Sequence, residues 1–346
     1  MKRYLQAAAA LLLCMLSIPL VPLLGSPQDL QENPEDHSKA EISSAQDADK
    51  EQQENSEKIP QEETIKVYFH KEDKVKELPM KEYIKSVVCA EMPASFEEEA
   101  IKAQAVIAHT YTMHIINAKA ENPDESLKGG QISTDPGVHQ SYLSPEEIKE
   151  KYGKHYAEYW NKISNCTNEV FDEILTYENE PIIAAFHSVS SGRTESAQNV
   201  WGREVPYLVS VSSEGDPLSP HYKDEKKLSK KEVTEILQKL YPDLDYQQKE
   251  EEWFQIQSNT PSGYVDKITV LGQELTGVQV RSIFDLKSAD FSVAYQDGNF
   301  LFTTKGYGHG VGLSQYGADY LASQGKNYQE ILSHYYPGTT LTSLNY

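Results

Sequence analysis

Cysteine is scarce in this 346-residue chain: Cys14, Cys89 and Cys166 are all it has. Three cysteines, one of them inside an apolar run, exclude a disulfide-dense scaffold. Cys89 reads as a small buried residue, and sequence does not decide whether it reaches Cys166. Positive charge is also short, with 32 Lys and Arg against 53 Asp and Glu and a net charge of −21. Such a balance argues against nucleic acid as a partner and against docking on anionic lipid by bulk charge. The one glycine-rich run, Gly306 to Gly317, lacks the Gly-Lys-Ser/Thr ending of a phosphate loop, so nucleotide binding is not expected. No cofactor or metal is implied by the remaining pattern.

What is present begins with Met1, Lys2 and Arg3, followed by an uncharged run from Tyr4 to Leu24. About 20 such residues cross a bilayer as a helix, and the flanking charges leave the rest of the chain outside the cytoplasm. A cleaved signal peptide is the competing reading. Its small-x-small cleavage pattern is poor here, because Leu23 and Leu24 occupy the third position back from Gly25 and Ser26. The expectation is a single-pass anchor over residues 1–26. Residues 27–63 carry 12 acidic and 3 basic side chains and hardly a large apolar group. That composition cannot offset its chain entropy by burial and reads as a disordered tether.

The body of the chain is organised around YIKSVVCAEMPASFEEEAIKAQAVIAHTYTMHI, from Tyr83 to Ile115. Tyr83, Ile84, Val87 and Val88 recur at helical spacing and make one apolar face, which Glu91 continues. Pro93 disfavours the helical conformation at Met92 and so puts Glu91 in the last turn. Ser95 with Glu98 three residues on is the pattern of a capping box for a second helix, whose buried side would be Ile101, Ala105, Ala108, Thr112 and Ile115. Apolar neighbours and the negative end of a helix dipole both penalise a charged Glu91. That is how a glutamic acid is tuned to give up a proton near neutral pH. The alternative is a Glu at a fraying helix end that points to water.

Three stretches carry a resemblance to the stage II sporulation protein D family. They are EYIKSVVCAEMPASFEEEAIKAQAVIAHTY, FHSVSSGRTESAQNVWG from Phe186 to Gly202, and GYGHGVGLSQYGA from Gly306 to Ala318. They span most of residues 64–346 in the order the family has them. The resemblance implies a membrane-anchored lytic transglycosylase acting on peptidoglycan glycan strands during engulfment, from the engulfing septal membrane of the mother cell. It implies the Glu of AEMP, Glu91, as catalytic acid. Implied partners are a sporulation amidase/endopeptidase and a polytopic membrane protein of the same complex. Asp135, His139, Gln140 and Tyr142 resemble the family's Asp-rich turn ending in Gln-x-Tyr and are expected to border the cleft. His109 stands where members commonly carry Arg; it is expected to orient Glu91 or the substrate, with fewer donors and a titration near neutral pH. In some members the His of the second stretch joins two downstream cysteines on zinc. No cysteine follows Cys166, so that Cys-rich site is absent.

The second stretch places His187 before hydroxyls at Ser188, Ser190, Ser191 and Thr194, a composition suited to donors and acceptors laid along a sugar. Alternate glycines at 306, 308, 310 and 312 permit close backbone approach. The glycine run is therefore expected to pack near Glu91 and border the cleft, with Gly310, His309, Ser314 and Gln315 as contacts. A tightly packed structural turn is the alternative.

Elsewhere the sequence predicts a strand at IKVYF, a turn-like link over KEDKVKELP and a helix from Ser144 to Cys166 capped by Ser144, Pro145 and Glu147. A hairpin over EILTYENEPIIAAF follows. Residues 203–305 read as an elaboration of the 64–346 module. It comprises a helix over KLSKKEVTEILQKLYPD, strands at WFQIQ and YVDKITVLGQ, a helix over TGVQVRSIFDLKSADF and a hairpin turned at Asp297-Gly298. Two short helices close the chain. Strands and helices alternate without a regular βαβ rhythm, which predicts an α+β fold with room for two lobes.

Hydrolytic glycosidases usually need two carboxylates; a lytic transglycosylase needs one, because the substrate's own C6 hydroxyl attacks C1. One acid is well placed here, with Asp135 in reserve. A non-catalytic glycan-binding enhancer of a wall amidase is the second reading.

Overall fold

The structure, a computed structural model, describes residues 63–344. The expected anchor, and the expected tether as far as Glu62, lie outside the described residues.

Strand β1 (Thr64–Phe69) buries Ile65, Val67 and Phe69 in alternation, the period of a half-covered strand. KVKELP does not form a simple link. It runs as strand β2 (Lys74–Pro79), antiparallel to β1 from Thr64↔Pro79 to Phe69↔Lys74. As an edge strand it keeps charge facing water, which hid it from a hydrophobic pattern. Strand β3 (Ile132–Ser133) pairs parallel on the other side of β1.

Helix α1 (Met80–Glu91) follows directly and buries Tyr83, Ile84, Val87 and Val88. It stops where Pro93 requires, with Met92 extended at φ −117° and ψ 140°. Helix α2 (Glu98–Lys119) begins without the expected capping box at Ser95. Instead Pro93 O accepts the Phe96 N–H, Glu97 becomes the cap residue, and the Glu97 N–H donates to Asp319 Oδ1 at 2.7 Å. Every residue from Ala100 to Thr110 is buried, so α2 is a central helix covered all round rather than an amphipathic stripe.

The predicted long helix is two. Helix α3 (Pro145–Tyr152) has its full capping box between Ser144 and Glu147, then Gly153 at φ +51° turns the chain into helix α4 (Tyr156–Val170). Ser144→Ala should cost about 1 kcal/mol in denaturant unfolding, the usual worth of such a cap.

Strands β4 (Glu173–Tyr177) and β5 (Glu180–Pro181) form the expected hairpin around Glu178 and Asn179, both at positive φ. PIIAAF is not one continuous strand: its end becomes strand β6 (Phe186–His187). After a short helix α5 (Ala197–Trp201) comes a second core. Strand β7 (Lys223–Ser229) leads into helix α6 (Lys230–Leu240), capped by Ser229 and Glu232. Strands β8 (Phe254–Asn259), β9 (Val265–Val270) and β10 (Gln273–Thr276) form one antiparallel sheet. Helix α7 spans only Gly277–Ile283, because Asp285 at φ +46° leaves the helical region. Strands β11 (Asp290–Gln296) and β12 (Asn299–Lys305) turn at Asp297-Gly298 as expected, and β7 lies on the far side of β12. Trp253, Phe284, Phe300 and Phe302 are the buried rings of this core.

The chain returns to the first core with strand β13 (Leu313–Ser314), parallel to β6, then helices α8 (Gln315–Ser323) and α9 (Tyr328–Tyr335). Strand β14 (Thr340–Ser343) completes the sheet β14-β4-β5. The result is an α+β fold with two hydrophobic cores. Cys89 and Cys166 are both buried and both free.

Candidate acid site

Glu91 is the last residue of α1 and is half-buried. Desolvation raises its pKa above the ordinary carboxyl range, against hydrogen bonds from Ser141 and the nearby charge of Lys151, which lower it. The balance favours the protonated acid. Its Oε1 accepts the backbone N–H of Ser141 at 2.6 Å. That N–H is aimed by its two neighbours in the chain. Gln140 is buried and its Nε2 donates to Ala108 O (3.2 Å) and Thr112 Oγ1 (3.0 Å) on α2. Tyr142 stacks on Tyr83 with ring centroids 5.8 Å apart and meets Phe69 edge-on at 5.3 Å. The Gln-x-Tyr pattern thus anchors both sides of Ser141 in the core. The hydroxyls of Tyr83 and Tyr111 are held un-ionised chiefly by burial and further by the Glu91 charge.

Lys151, in the last turn of α3, completes the surroundings. Its Nζ donates to Cys89 O at 2.7 Å and to Ala90 O at 3.4 Å, covering the carbonyl end of α1 beneath Glu91. Among the described residues no second carboxylate acts on Glu91.

Ser141 also lines a groove of about 930 Å³ with Phe69, Tyr142, Asp135, Tyr156 and Trp160. The structure therefore brings Asp135 and Tyr142 to a surface next to the acid. Asp135 caps its own turn, accepting the Gly137 N–H at 2.9 Å.

The remaining expected contact residues are placed otherwise. His109 is buried, stacked on Phe171 at 4.8 Å and interplanar 7°, and burial lowers its pKa to about 4. Its expected titration near neutral pH is corrected to one well below it. Ser190 and Thr194 are fully buried. The Ser190 N–H donates to Asp216 Oδ2 at 2.7 Å and its Oγ accepts the Gly192 N–H; the Thr194 hydroxyl bonds the 209–211 backbone. The Ser188 carbonyl accepts the Ser314 hydroxyl and the Tyr316 N–H. Ser190 and Thr194 thus form a folding knot, spending their polar groups on Asp216 and the surrounding backbone. His187 is buried, bonds Val311 O through Nδ1 at 3.1 Å, and is pushed by burial to a pKa of about 3, so it is neutral.

Gly310, at φ +83°, packs against the Tyr264 hydroxyl, not against Glu91. Gln315 is buried with its Nε2 on Gln104 Oε1 at 3.2 Å. The glycine run is the tightly packed turn of the alternative reading. Replacing Asp216 by Ala tests the knot. It would strand the Ser190 N–H, bonded at 2.7 Å, and leave the Ser314 hydroxyl only the Ser188 carbonyl at 3.3 Å. A loss of about 1–3 kcal/mol per group left unsatisfied is expected in chemical denaturation.

Sequence reasoning missed Ser141 and Lys151. Ser141 sits inside the Gln-x-Tyr signal and acts through its backbone, which side-chain reading overlooks. Lys151 had no local signal at all.

One desolvated carboxyl group, part-open to solvent and steadied by a backbone N–H, is an arrangement able to serve as a general acid on an α+β scaffold. The family described as "SpoIID: Stage II sporulation protein" matches residues 68–177, which contain every group around Glu91. The chain is 39% identical over 279 residues to stage II sporulation protein D of Bacillus amyloliquefaciens, covering 81% of this chain and 78% of that one. It is 37% identical over 281 residues to the protein of the same name from Bacillus subtilis (strain 168), covering 81% and 79%. An amidase enhancer of Bacillus subtilis (strain 168) is 29% identical over 312 residues, covering 75% of this chain and 40% of the enhancer. The chain belongs to the stage II sporulation protein D family.

Proposed function

We propose that this protein cleaves peptidoglycan glycan strands by lytic transglycosylation in endospore formation, with Glu91 as acid and then base. The observation that carries the reading is the half-buried carboxyl at the end of α1, whose pKa desolvation raises and which the Ser141 N–H holds. Protonated Glu91 gives its proton to the oxygen between a muramoyl C1 and the next sugar, and the C1–O bond breaks with its electron pair on that oxygen. The C6 hydroxyl of the same muramoyl residue bonds to C1, and its proton passes to the Glu91 carboxylate. The product is a 1,6-anhydromuramoyl end, water takes no part, and one carboxylate suffices.

The reading extends to a membrane-anchored protein facing away from the cytoplasm, with an amidase/endopeptidase and a polytopic membrane protein as partners. A second reading, an enhancer that binds glycan without cutting it, is favoured by the similarity to the amidase enhancer. Incubating the full chain with purified glycan strands and analysing ends by mass spectrometry separates the two. Anhydro ends support the transglycosylase, reducing ends a hydrolase, and binding without new ends the enhancer.

A further inference from the structure

A general acid that must later act as a base has to be comfortable in both protonation states. Burial and the carbonyl end of α1 both oppose the anion of Glu91. Among the described residues, Ser141 and Lys151 act the other way. Ser141 contributes a fixed backbone dipole. Lys151 brings a full charge from another helix. Its ammonium reaches from α3, which the Ser144–Glu147 box starts, to the last carbonyls of α1, at 2.7 Å from Cys89 O and 3.4 Å from Ala90 O.

The other groups packed against this charge leave it free for that task. Tyr152 donates to the same Cys89 carbonyl at 3.4 Å and its ring lies 5.8 Å from the ammonium. Cys89 is a neutral thiol, pushed by burial to about 11. Among the described residues no carboxylate forms an ion pair with Lys151, while Lys71, Lys76, Lys85 and Lys102 are each matched to a Glu. Tyr83 and Tyr111, which face Glu91 from α1 and α2, stay un-ionised through the range in which a carboxyl titrates.

We propose that Lys151 is a positioning residue for the Glu91 proton cycle: by covering the carbonyl pole of α1 it lets the buried carboxylate persist between giving its proton and taking one back. This rests on the reading of Glu91 as acid and base. It adds the group that sets the balance between the two roles.

The test uses the full chain and three substitutions. Lys151→Arg keeps the charge, Lys151→Gln keeps a donor without charge, and Lys151→Met keeps neither. Two readouts are taken: the pH titration of the Glu91 carboxyl by carbon NMR, assigned by difference against Glu91→Gln, and the pH–rate profile for anhydro-end formation. In Lys151→Gln and Lys151→Met the carboxyl should titrate about half to one pH unit higher, the size of a charge at a helix terminus. The alkaline limb of the rate profile should move with it, and kcat should fall more than KM rises. Lys151→Arg should restore both. A purely structural lysine would lower the melting temperature of Lys151→Met and leave the Glu91 titration unmoved, which would overturn the proposal. If the titration moves but Glu91→Gln still cuts glycan at the normal rate, the acid reading and this one fall together. An inactive Glu91→Gln with an unmoved titration removes Lys151 alone.

Discussion

Glu91→Gln should lower glycan cleavage at least about 100-fold while leaving the fold intact, since general acid–base catalysis contributes about 10²–10⁴. The amide keeps the size of the acid and still accepts the Ser141 N–H, but it has no proton to give. Stability should move in the opposite direction. The pKa of Glu91 is raised in the folded protein by desolvation, so folding takes up a proton between the unfolded and folded values. This stabilising preference for the acid form is fully present below the usual carboxyl range and is lost as pH rises through the folded value. Glu91→Gln should therefore be slightly more stable than the parent at neutral pH and gain nothing at acid pH. Melting curves and anhydro-product assays across pH check both parts. A variant that cuts at the normal rate would reduce Glu91 to a structural residue and move attention to Asp135.

Gly310→Val should be a strongly damaging change to the fold. The backbone at φ +83° costs a β-branched residue about 1–3 kcal/mol in itself. An added Cβ would stand 2.4 Å from the Tyr264 hydroxyl, in a buried place where neither can yield, at a further cost of about 1–3 kcal/mol. Together this is of the order of 5–15 °C in melting temperature for a domain of this size. Gly272→Ala is the control, because it has a similar φ of +84° with nothing within 4 Å of an added Cβ. It should lose only the backbone share. Equal losses in the two variants would show that the contact with Tyr264 is unimportant.

The sequence made the end of α1 legible because Pro93 is a local instruction: it fixes Met92 as extended and so makes Glu91 terminal whatever else the chain does. The box at Ser144 was legible for the same reason, being settled within four residues. What could not be read depends on partners far away in sequence. Ser95 has the letters of a cap, but the turn closed by Pro93 and the carboxylate of Asp319 set the start of α2 two residues later. Hydroxyls at Ser190 and Thr194 have the composition of a binding loop, and only the packing of Asp216 and residues 209–211 against them reveals that they face inward. Lys151 looks like any helix-end lysine until α1 and α3 are brought together.

The groups around Glu91 lie in residues 83–151, yet helix α2 is covered by α8 and α9 from the last 35 residues. Gln104 meets Gln315, Glu97 meets Asp319, and Glu99 accepts the Tyr328 N–H at 2.8 Å. Such closures span more than 200 positions and are made late in folding, since long loops must be ordered before they are rewarded. Chains cut short before Gln315 would therefore hold every group around Glu91 while leaving α2 uncovered on this side. Under the proposed function, cleavage would become available only once α8 and α9 have docked on α2, so a half-made chain would be harmless to the glycan.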